Sequence, residues 1–384
     1  GRMGVGGGAV DMSKLGLPYN SEKPILRSVT DLASETSQRR AADSSDLLSP
    51  AWFRRRGAQP ALVLDRDGAN PGDVAVVTYA ELADRIDMRR LELGGERRLV
   101  LLDRVDDTEA VVTLFAALDA RHPVLVTAGG PNRAALEERD QPDSIVTCDG
   151  AAGGVRVEHP TPWGEQSVHE LHPELAVLMS TSGTTGGAKL VRLSREAVLS
   201  NARAIGCALG LTPEDRAITS LPFHYCFGMS VLTSHIAAGG SVVLTDTSVV
   251  DPCFWALVEA QGVSTLAGVP YTFEMIERRG LDAMCVPSLR LVTQAGGRME
   301  PEAVQRFVEA GATAGWDFIV MYGQTEATAR MAVSSPEEMI ENPASVGRAI
   351  PGGSFRIEPH ASTNEPDVGA VVYAGPYVLM GYAT

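Results

Sequence analysis

The residues most able to do chemistry sit in one uninterrupted run, Thr181-Ser182-Gly183-Thr184-Thr185-Gly186-Gly187-Ala188-Lys189, directly after an apolar stretch at 175–179. Glycines let a backbone approach a polyanion closely, and successive N–H groups form an anion-binding nest. The hydroxyls of Thr181, Ser182, Thr184 and Thr185 add neutral donors, and Lys189 adds one charge. This suits a bound triphosphate. It is not the loop GxxxxGK[ST], which needs glycine at Ala188 and a hydroxyl at Leu190, so a P-loop ATPase or kinase is disfavoured. Lysine is otherwise scarce. Only Lys14, Lys23 and Lys189 stand among 33 basic residues, which suggests that position 189 needs a compact ammonium and not a planar guanidinium.

A second candidate run, Met321-Tyr322-Gly323-Gln324-Thr325-Glu326, also follows a strand-like stretch. Tyrosine can stack on a purine, a threonine hydroxyl can bond a phosphate, and a carboxylate can hold Mg²⁺ between phosphates. Alone, such a run is an ordinary strand-end turn. Its weight comes from pairing with the first loop, both at strand C-terminal ends, where α/β sheets bind ligands.

The surrounding elements must position these loops. Short apolar strands are expected at 61–64 and 74–78 as a hairpin, then at 99–102, 123–126, 145–148, 175–179, 241–244, 264–267, 289–293 and 317–321. Helices are expected at 78–93, 108–119, 194–209, 229–238, 252–260 and 301–314. A polar linker precedes 145. Such alternation argues for parallel sheets covered by helices on both faces. Residues 1–58 read as a tail with one short helix capped by Ser49 and Pro50. Residues 59–340 read as the α/β core, and 341–384 as a small β-rich subdomain.

A net charge of −15 disfavours nucleic-acid and anionic-membrane partners. No stretch is apolar enough to span a bilayer, and no secretory leader is legible, so a cytoplasmic location is expected. Cys148, Cys207, Cys226, Cys253 and Cys285 form an odd set without CxxC spacing, and neither a disulfide framework nor a zinc site follows.

Together, STSGTTGGAKLV and MYGQTEA resemble the adenylate-forming superfamily of acyl-CoA synthetases, peptide-synthetase adenylation domains and luciferases. Val77–Leu82, Gln294–Met299, Ser345–Arg348 and Gly375–Tyr382 resemble further landmarks in the same order. The resemblance implies the layered αβαβα N-terminal domain of these enzymes with a small β-rich subdomain. It implies a small carboxylic acid activated by ATP to an acyl-adenylate, then thioester formation. Coenzyme A is the favoured acceptor and co-substrate. A carrier-protein phosphopantetheine comes next, and a non-catalytic nucleotide-binding module is the rival.

By resemblance, Thr181, Ser182, Gly183, Thr184, Thr185, Gly186 and Lys189 would handle phosphates, and Gly296, Gly297 and Arg298 would flank adenine. Tyr322 would stack on adenine, Gly323 and Gln324 would belong to the same nucleotide site, Thr325 would bond the α-phosphate, and Glu326 would hold Mg²⁺. The family's aromatic or histidine gate falls at Tyr225, with His224 one place early. Either can line the acyl channel. Gly228 stands where the peptide-synthetase branch has an aspartate for a substrate ammonium, which implies a substrate without an α-amino group. The family's ribose-binding aspartate and lid domain with its lysine are not matched in this sequence. The expectation is a shortened piece of a longer enzyme that binds an acyl-adenylate but hardly makes one.

Overall fold

A computed structural model of the chain describes residues 10–11, 46–66, 68, 70–103, 107–129, 131–148, 154–162, 164–181, 189–359 and 368–383. Among these, the strands form two large sheets and one small one. The first large sheet has the spatial order β7 (Val155–Glu158), β6 (Ser144–Cys148), β4 (Val100–Asp103), β5 (Val124–Thr127), β8 (Leu175–Ser180) and β9 (Leu190–Ser194). Its four inner strands are parallel and both edge strands antiparallel.

The second sheet runs β16 (Arg348–Ala349), β15 (Ala332–Val333), β14 (Asp317–Tyr322), β13 (Leu291–Gln294), β12 (Thr265–Gly268), β10 (Arg216–Ile218), β11 (Ser241–Leu244), β2 (Pro60–Asp65) and β3 (Val74–Thr78). It is parallel from β14 to β2. The small antiparallel sheet joins β17 (Ser354–Pro359) and β18 (Val368–Ala374) to β1 (Val10–Asp11).

Burial alternates along the strands and sorts the helices into layers. Val100 and Leu102 face one core while Leu101 faces another; Val242 and Leu244 share the first core while Val243 faces a third. Successive side chains of a strand point to opposite faces, so each sheet is covered twice. The shared core lies between the sheets. It holds α2 (Tyr79–Leu93), α3 (Thr108–Ala120), α5 (Arg195–Ala208) and α6 (Cys226–Ala238), with Trp52 and Phe53 of α1 (Pro50–Arg54) buried beside them. Outside the second sheet pack α7 (Pro252–Ala260), α8 (Pro270–Arg279) and α9 (Pro301–Ala314). This is the expected helix–sheet–helix–sheet–helix layering.

Local signals account for most boundaries. Thr78 Oγ1 accepts from the Glu81 amide while Glu81 Oε2 accepts from the Thr78 amide at 2.8 Å, a reciprocal cap that starts α2. Ser49 and Ser194 cap α1 and α5 from one side only, their hydroxyls accepting from the Trp52 and Ala197 amides. Several elements lie outside the expected set, β7, β10 and α8 among them, and two more show why. The polar linker before β6 contains α4 (Pro131–Asp140), whose sequence PNRAALEERD is too polar to show an apolar stripe. Residues 190–194 form β9 and not the approach to a helix. A five-residue strand beside a glycine loop has too little periodicity to announce itself.

One buried histidine joins the two inner layers. His235 of α6 donates from Nδ1 to the Val231 carbonyl at 2.9 Å, and Nε2 accepts from Thr265 Oγ1 of β12 at 2.8 Å. Burial pushes its pKa down to about 4, so it is neutral at pH 7. The unfolded chain takes up this proton near pH 6.5 and the folded chain only near 4, so stability falls as pH drops through that window. At roughly 1.4 kcal/mol per unit, the whole window corresponds to about 3.5 kcal/mol, of which about 2 kcal/mol is lost by pH 5. Urea unfolding at pH 7.5 and pH 5 should show it, and His235→Asn should flatten the slope. A wild-type midpoint that does not change over this range would contradict the buried neutral imidazole.

Candidate active site

Strand β8 ends at Ser180 and the chain returns as β9 from Leu190, with Ser180 opposite Leu190 and Met179 opposite Val191. The connection is closed at its base, where the Thr181 amide donates to the Lys189 carbonyl at 3.0 Å. Ser182, Gly183, Thr184, Thr185 and Gly186 lie outside the described residues. The anchors flanking them, Thr181 and Lys189, are therefore one residue pair beyond a regular ladder.

Strand β14 of the other sheet ends at Tyr322, and the next nine residues make a tight reversal. The Met331 amide returns to the Tyr322 carbonyl at 2.8 Å, and Ala329 and Ala327 both donate to the Gln324 carbonyl. Thr325 and Glu326 ride on a single 3-10 turn, Thr325–Ala327, at its tip. The turn is strained: Thr328 and Ala329 have φ of 54° and 81°, a region side chains avoid. Neighbours hold it there. Thr328 Oγ1 donates to the Tyr377 carbonyl at 2.7 Å, and Asn201 Nδ2 of α5 donates to the Arg330 carbonyl at 3.0 Å. Gly323 permits the reversal, since a Cβ there would lie 1.5 Å from the Ala329 carbonyl oxygen.

The C-terminal segment brings the two strand ends together. Leu379 donates to the Glu326 carbonyl at 2.8 Å, Met380 to the Arg192 carbonyl at 2.8 Å, and Ala383 to the Leu190 carbonyl at 2.8 Å. Tyr382 bridges to Val191 in the same antiparallel ladder. Its phenol then donates to Glu326 Oε1 at 3.0 Å, while the Lys189 ammonium lies 5.1 Å from its ring centre. Burial and the Glu326 carboxylate both push the Tyr382 phenol up, so it stays a donor at neutral pH. Lys189 and Glu326, drawn from different sheets, thus flank one tyrosine ring. Sequence reasoning used Tyr382 only as a landmark and missed this contact.

On the other side, β13 ends at Gln294 and Gly296 adopts φ 83°. A Cβ there would lie 2.5 Å from Tyr225 Oη, so the glycine and Tyr225 are in direct contact. Gly297 packs on Pro270, Gln294 Nε2 donates to the Gly297 carbonyl at 2.8 Å, and Arg298 is exposed. Tyr322 is half-buried between these elements, its phenol pushed up by burial and then by Glu326. Tyr225 opens α6, and next to it the buried Cys226 thiol contacts Thr325; burial pushes that thiol up to about 12, so it stays neutral. Cys226 was not singled out from sequence, because one thiol on an apolar helix carries no signal of its own. His224 is half-buried beside Tyr225. A Cβ on Gly228 would meet the Pro222 carbonyl oxygen at 2.3 Å, so close packing of α6 on the 221–222 backbone accounts for this glycine.

For a cation, Glu326 is the available carboxylate. Among the described residues it forms no ion pair, and no group of three or more His, Cys, Asp or Glu side chains is placed to hold a metal. Mg²⁺ takes one or two carboxylates with waters and substrate phosphates, so a single unpaired Glu fits a phosphate-bridging ion better than a protein-only cage.

Two helix-covered sheets whose strand ends converge through a shared C-terminal ladder make the N-terminal domain architecture of adenylate-forming enzymes. The chain belongs to the family described as AMP-binding enzyme, which it matches over residues 96–383. It is 26% identical over 387 aligned residues to phenyloxazoline synthase of Mycobacterium sp. (strain MCS), covering 93% of this chain and 31% of that protein. It is 29% identical over 211 residues to 2-succinylbenzoate–CoA ligase of Bacillus licheniformis, covering 54% of this chain and 42% of that one. The chain thus spans less than half the length of these curated relatives. In fold it resembles o-succinylbenzoate CoA synthetase of Bacillus subtilis in complex with its acyl-adenylate intermediate. The TM-score is 0.69 at 21% identity, over 87% of this chain and 71% of that one. No helix among the described residues is long and apolar enough to cross a membrane.

The geometry at Gly323 is directly testable. Gly323→Ala forces a methyl group into backbone and should destabilise the chain by at least about 3 kcal/mol, the upper end of overpacking costs. Urea unfolding reads this. A midpoint equal to wild type would mean that the 322–331 reversal is not formed as described.

Proposed function

We propose that this chain binds ATP and a small carboxylic acid and activates the acid as an acyl-adenylate, with coenzyme A as the thiol that then takes the acyl group. The observation that carries this reading is the convergence of Lys189, Tyr382 and Glu326 from two sheets on one point. A carboxylate oxygen attacks the α-phosphorus, the new O–P bond forms, and pyrophosphate leaves with the electron pair of the broken bond. Such a step asks the protein to position and neutralise more than to act as a base. A thiolate then attacks the acyl carbon and AMP departs. The names of several relatives as CoA ligases support coenzyme A as the acceptor.

Each residue has a distinct part in this reading. Thr181 and Lys189 anchor the phosphate loop, with Lys189 supplying its charge. The loop hydroxyls and glycines from Ser182 to Gly186 cradle the phosphates. Tyr322 and the 296–298 segment hold adenine between them, and the Thr325 hydroxyl meets the α-phosphate. Glu326 holds Mg²⁺, which when bound neutralises charge on the phosphates. Tyr382 orients the Glu326 carboxylate through the 3.0 Å hydrogen bond. Tyr225 and His224 border the acyl group at the strand ends, and no carboxylate stands at Gly228 to receive a substrate ammonium.

In the native protein, Glu326→Gln should lower carboxylate-dependent ATP–pyrophosphate exchange by at least ~10²-fold, the scale of losing one preorganised charge stabiliser. Exchange equal to wild type would remove Glu326 from the mechanism. A panel of fatty, aryl and amino acids in the same assay should show turnover only without an α-amino group. An unpaired buried ammonium costs several kcal/mol, so preferential turnover of an α-amino acid would refute this part.

A further inference from the structure

Arg330 is a buried cation without an anion. Its side chain is 1% exposed, at the exit of the strained turn that carries Thr325 and Glu326. A charge so placed is costly unless an opposite charge meets it. Here its contacts are neutral. Nη1 donates to Ser230 Oγ of α6, Nε lies 3.3 Å from the Met321 sulfur, and the guanidinium sits 4.0 Å over the Phe227 ring. The groups that act on it electrostatically are Cys226 and Tyr225, both protonated at neutral pH, and no carboxylate of the described residues pairs with it. Desolvation pushes the guanidinium down to about 9, which still leaves it charged at pH 7. Elsewhere the fold treats a buried charge differently: Asp215, 3% exposed, is met by a two-point contact from Arg290 at 2.6 and 2.7 Å.

Arg330 lines a narrow cavity with Val231 and His235 of α6, Thr265 of β12, and Leu291 and Thr293 of β13. A strand rises about 3.3 Å per residue, so Thr265 and Leu291 lie about 10 Å beneath the strand ends at Gly268 and Gln294. Packed side chains fill the space between those ends and the cavity. Gly296 abuts Tyr225 Oη, Tyr225 meets Phe227 edge-on at 6.4 Å, and Phe227 lies under the Arg330 guanidinium. His235 is no competing cation, because both its nitrogens are engaged and burial keeps it neutral. The cavity behind the gate residues therefore carries one uncompensated positive charge, opposite in sign to what a substrate ammonium needs.

We propose that Arg330 is a specificity-determining residue that pairs with a second carboxylate, on the end of the acyl group remote from the reacting one, so that the activated acid is a dicarboxylate. This rests on the adenylation reading given above. The planar guanidinium fork suits a carboxylate as it would not suit a methyl end.

The test is calorimetry of the chain with matched 5′-O-(N-acylsulfamoyl)adenosines: succinyl against butanoyl, glutaryl against pentanoyl, and adipoyl against hexanoyl. In wild type, at least one carboxylate-ended analogue should bind ~10-fold or more tighter than its methyl-ended partner, as expected for a buried charge pair. Arg330→Gln, which keeps a donor for Ser230, should erase that preference and leave methyl-ended binding within ~3-fold of wild type. Arg330→Met serves the same purpose if thermal melting shows that the Gln variant does not fold. Tighter binding of the methyl-ended partner in all three pairs by wild type, or a preference that survives both substitutions, would overturn the proposal. Methyl-ended analogues that bind while the carboxylate brings no gain would sink this proposal alone. No binding by any analogue would sink the adenylation reading with it.

Discussion

The ladder between residues 379–383 and β9 is the contact on which the site depends. The sheet that contains β8 and β9 and the sheet that ends in Tyr322 share no strand. Their strand ends are held in common by backbone bonds from one segment, which reaches the Glu326 carbonyl at Leu379 and the β9 backbone at Met380, Gly381 and Ala383. Each such bond contributes about 0.5–1.5 kcal/mol net, and together they set a distance that side chains alone would leave loose. Gly381 belongs to this device. With φ 122° and its missing Cβ 3.0 Å from Arg192 Nη2, it lets the segment cross β9 without displacing that side chain.

Below the ladder, the 322–331 reversal shows how strain is tolerated when neighbours over-determine it. Two non-glycine residues hold positive φ, and each flank is tied to a different layer: Thr328 to Tyr377, and the Arg330 carbonyl to α5 through Asn201. The result is a short, stiff turn that presents Thr325 and Glu326 outward while sending Arg330 inward. One turn therefore faces two ways. Its tip faces Tyr382, and its exit residue faces the cavity between α6 and the strands. The same backbone bonds position the tip and the exit of the turn.

Electrostatics divides the molecule in the same way. Most arginines pair at the surface, where ion pairs contribute little. Buried charges need more. Burial opposes the charge on Asp215, but Arg290, the Thr212 amide and Ser264 together hold its pKa down at about 2. The helix–sheet frame thus satisfies its own buried charge beside β10, and the cavity charge at Arg330 stands out against that background.

Much of the frame was legible in the sequence because its signals are local. Period-two and continuous apolar runs mark strands, the Thr78/Glu81 pair starts α2, and Ser49 with Pro50 starts α1. The two motif runs after β8 and β14 were legible for the same reason, since glycine and hydroxyl density needs no partner to be seen. What escaped was non-local or too short. Helix α4 lacks an apolar stripe, and β9 exists because β8 is there to pair with it. Tyr382 becomes a ligand of Glu326 only once the C-terminal segment is laid along β9. Arg330 reads in the sequence as one more arginine in a chain rich in them. Its burial beside Phe227 and Ser230, without a carboxylate, is a property of three elements packed together and of none alone. Sequence determined which residues could do chemistry, since that depends on side-chain type and near neighbours. Tertiary structure decided which of them meet and which charges are left uncompensated, because distance and desolvation arise only when separate segments pack.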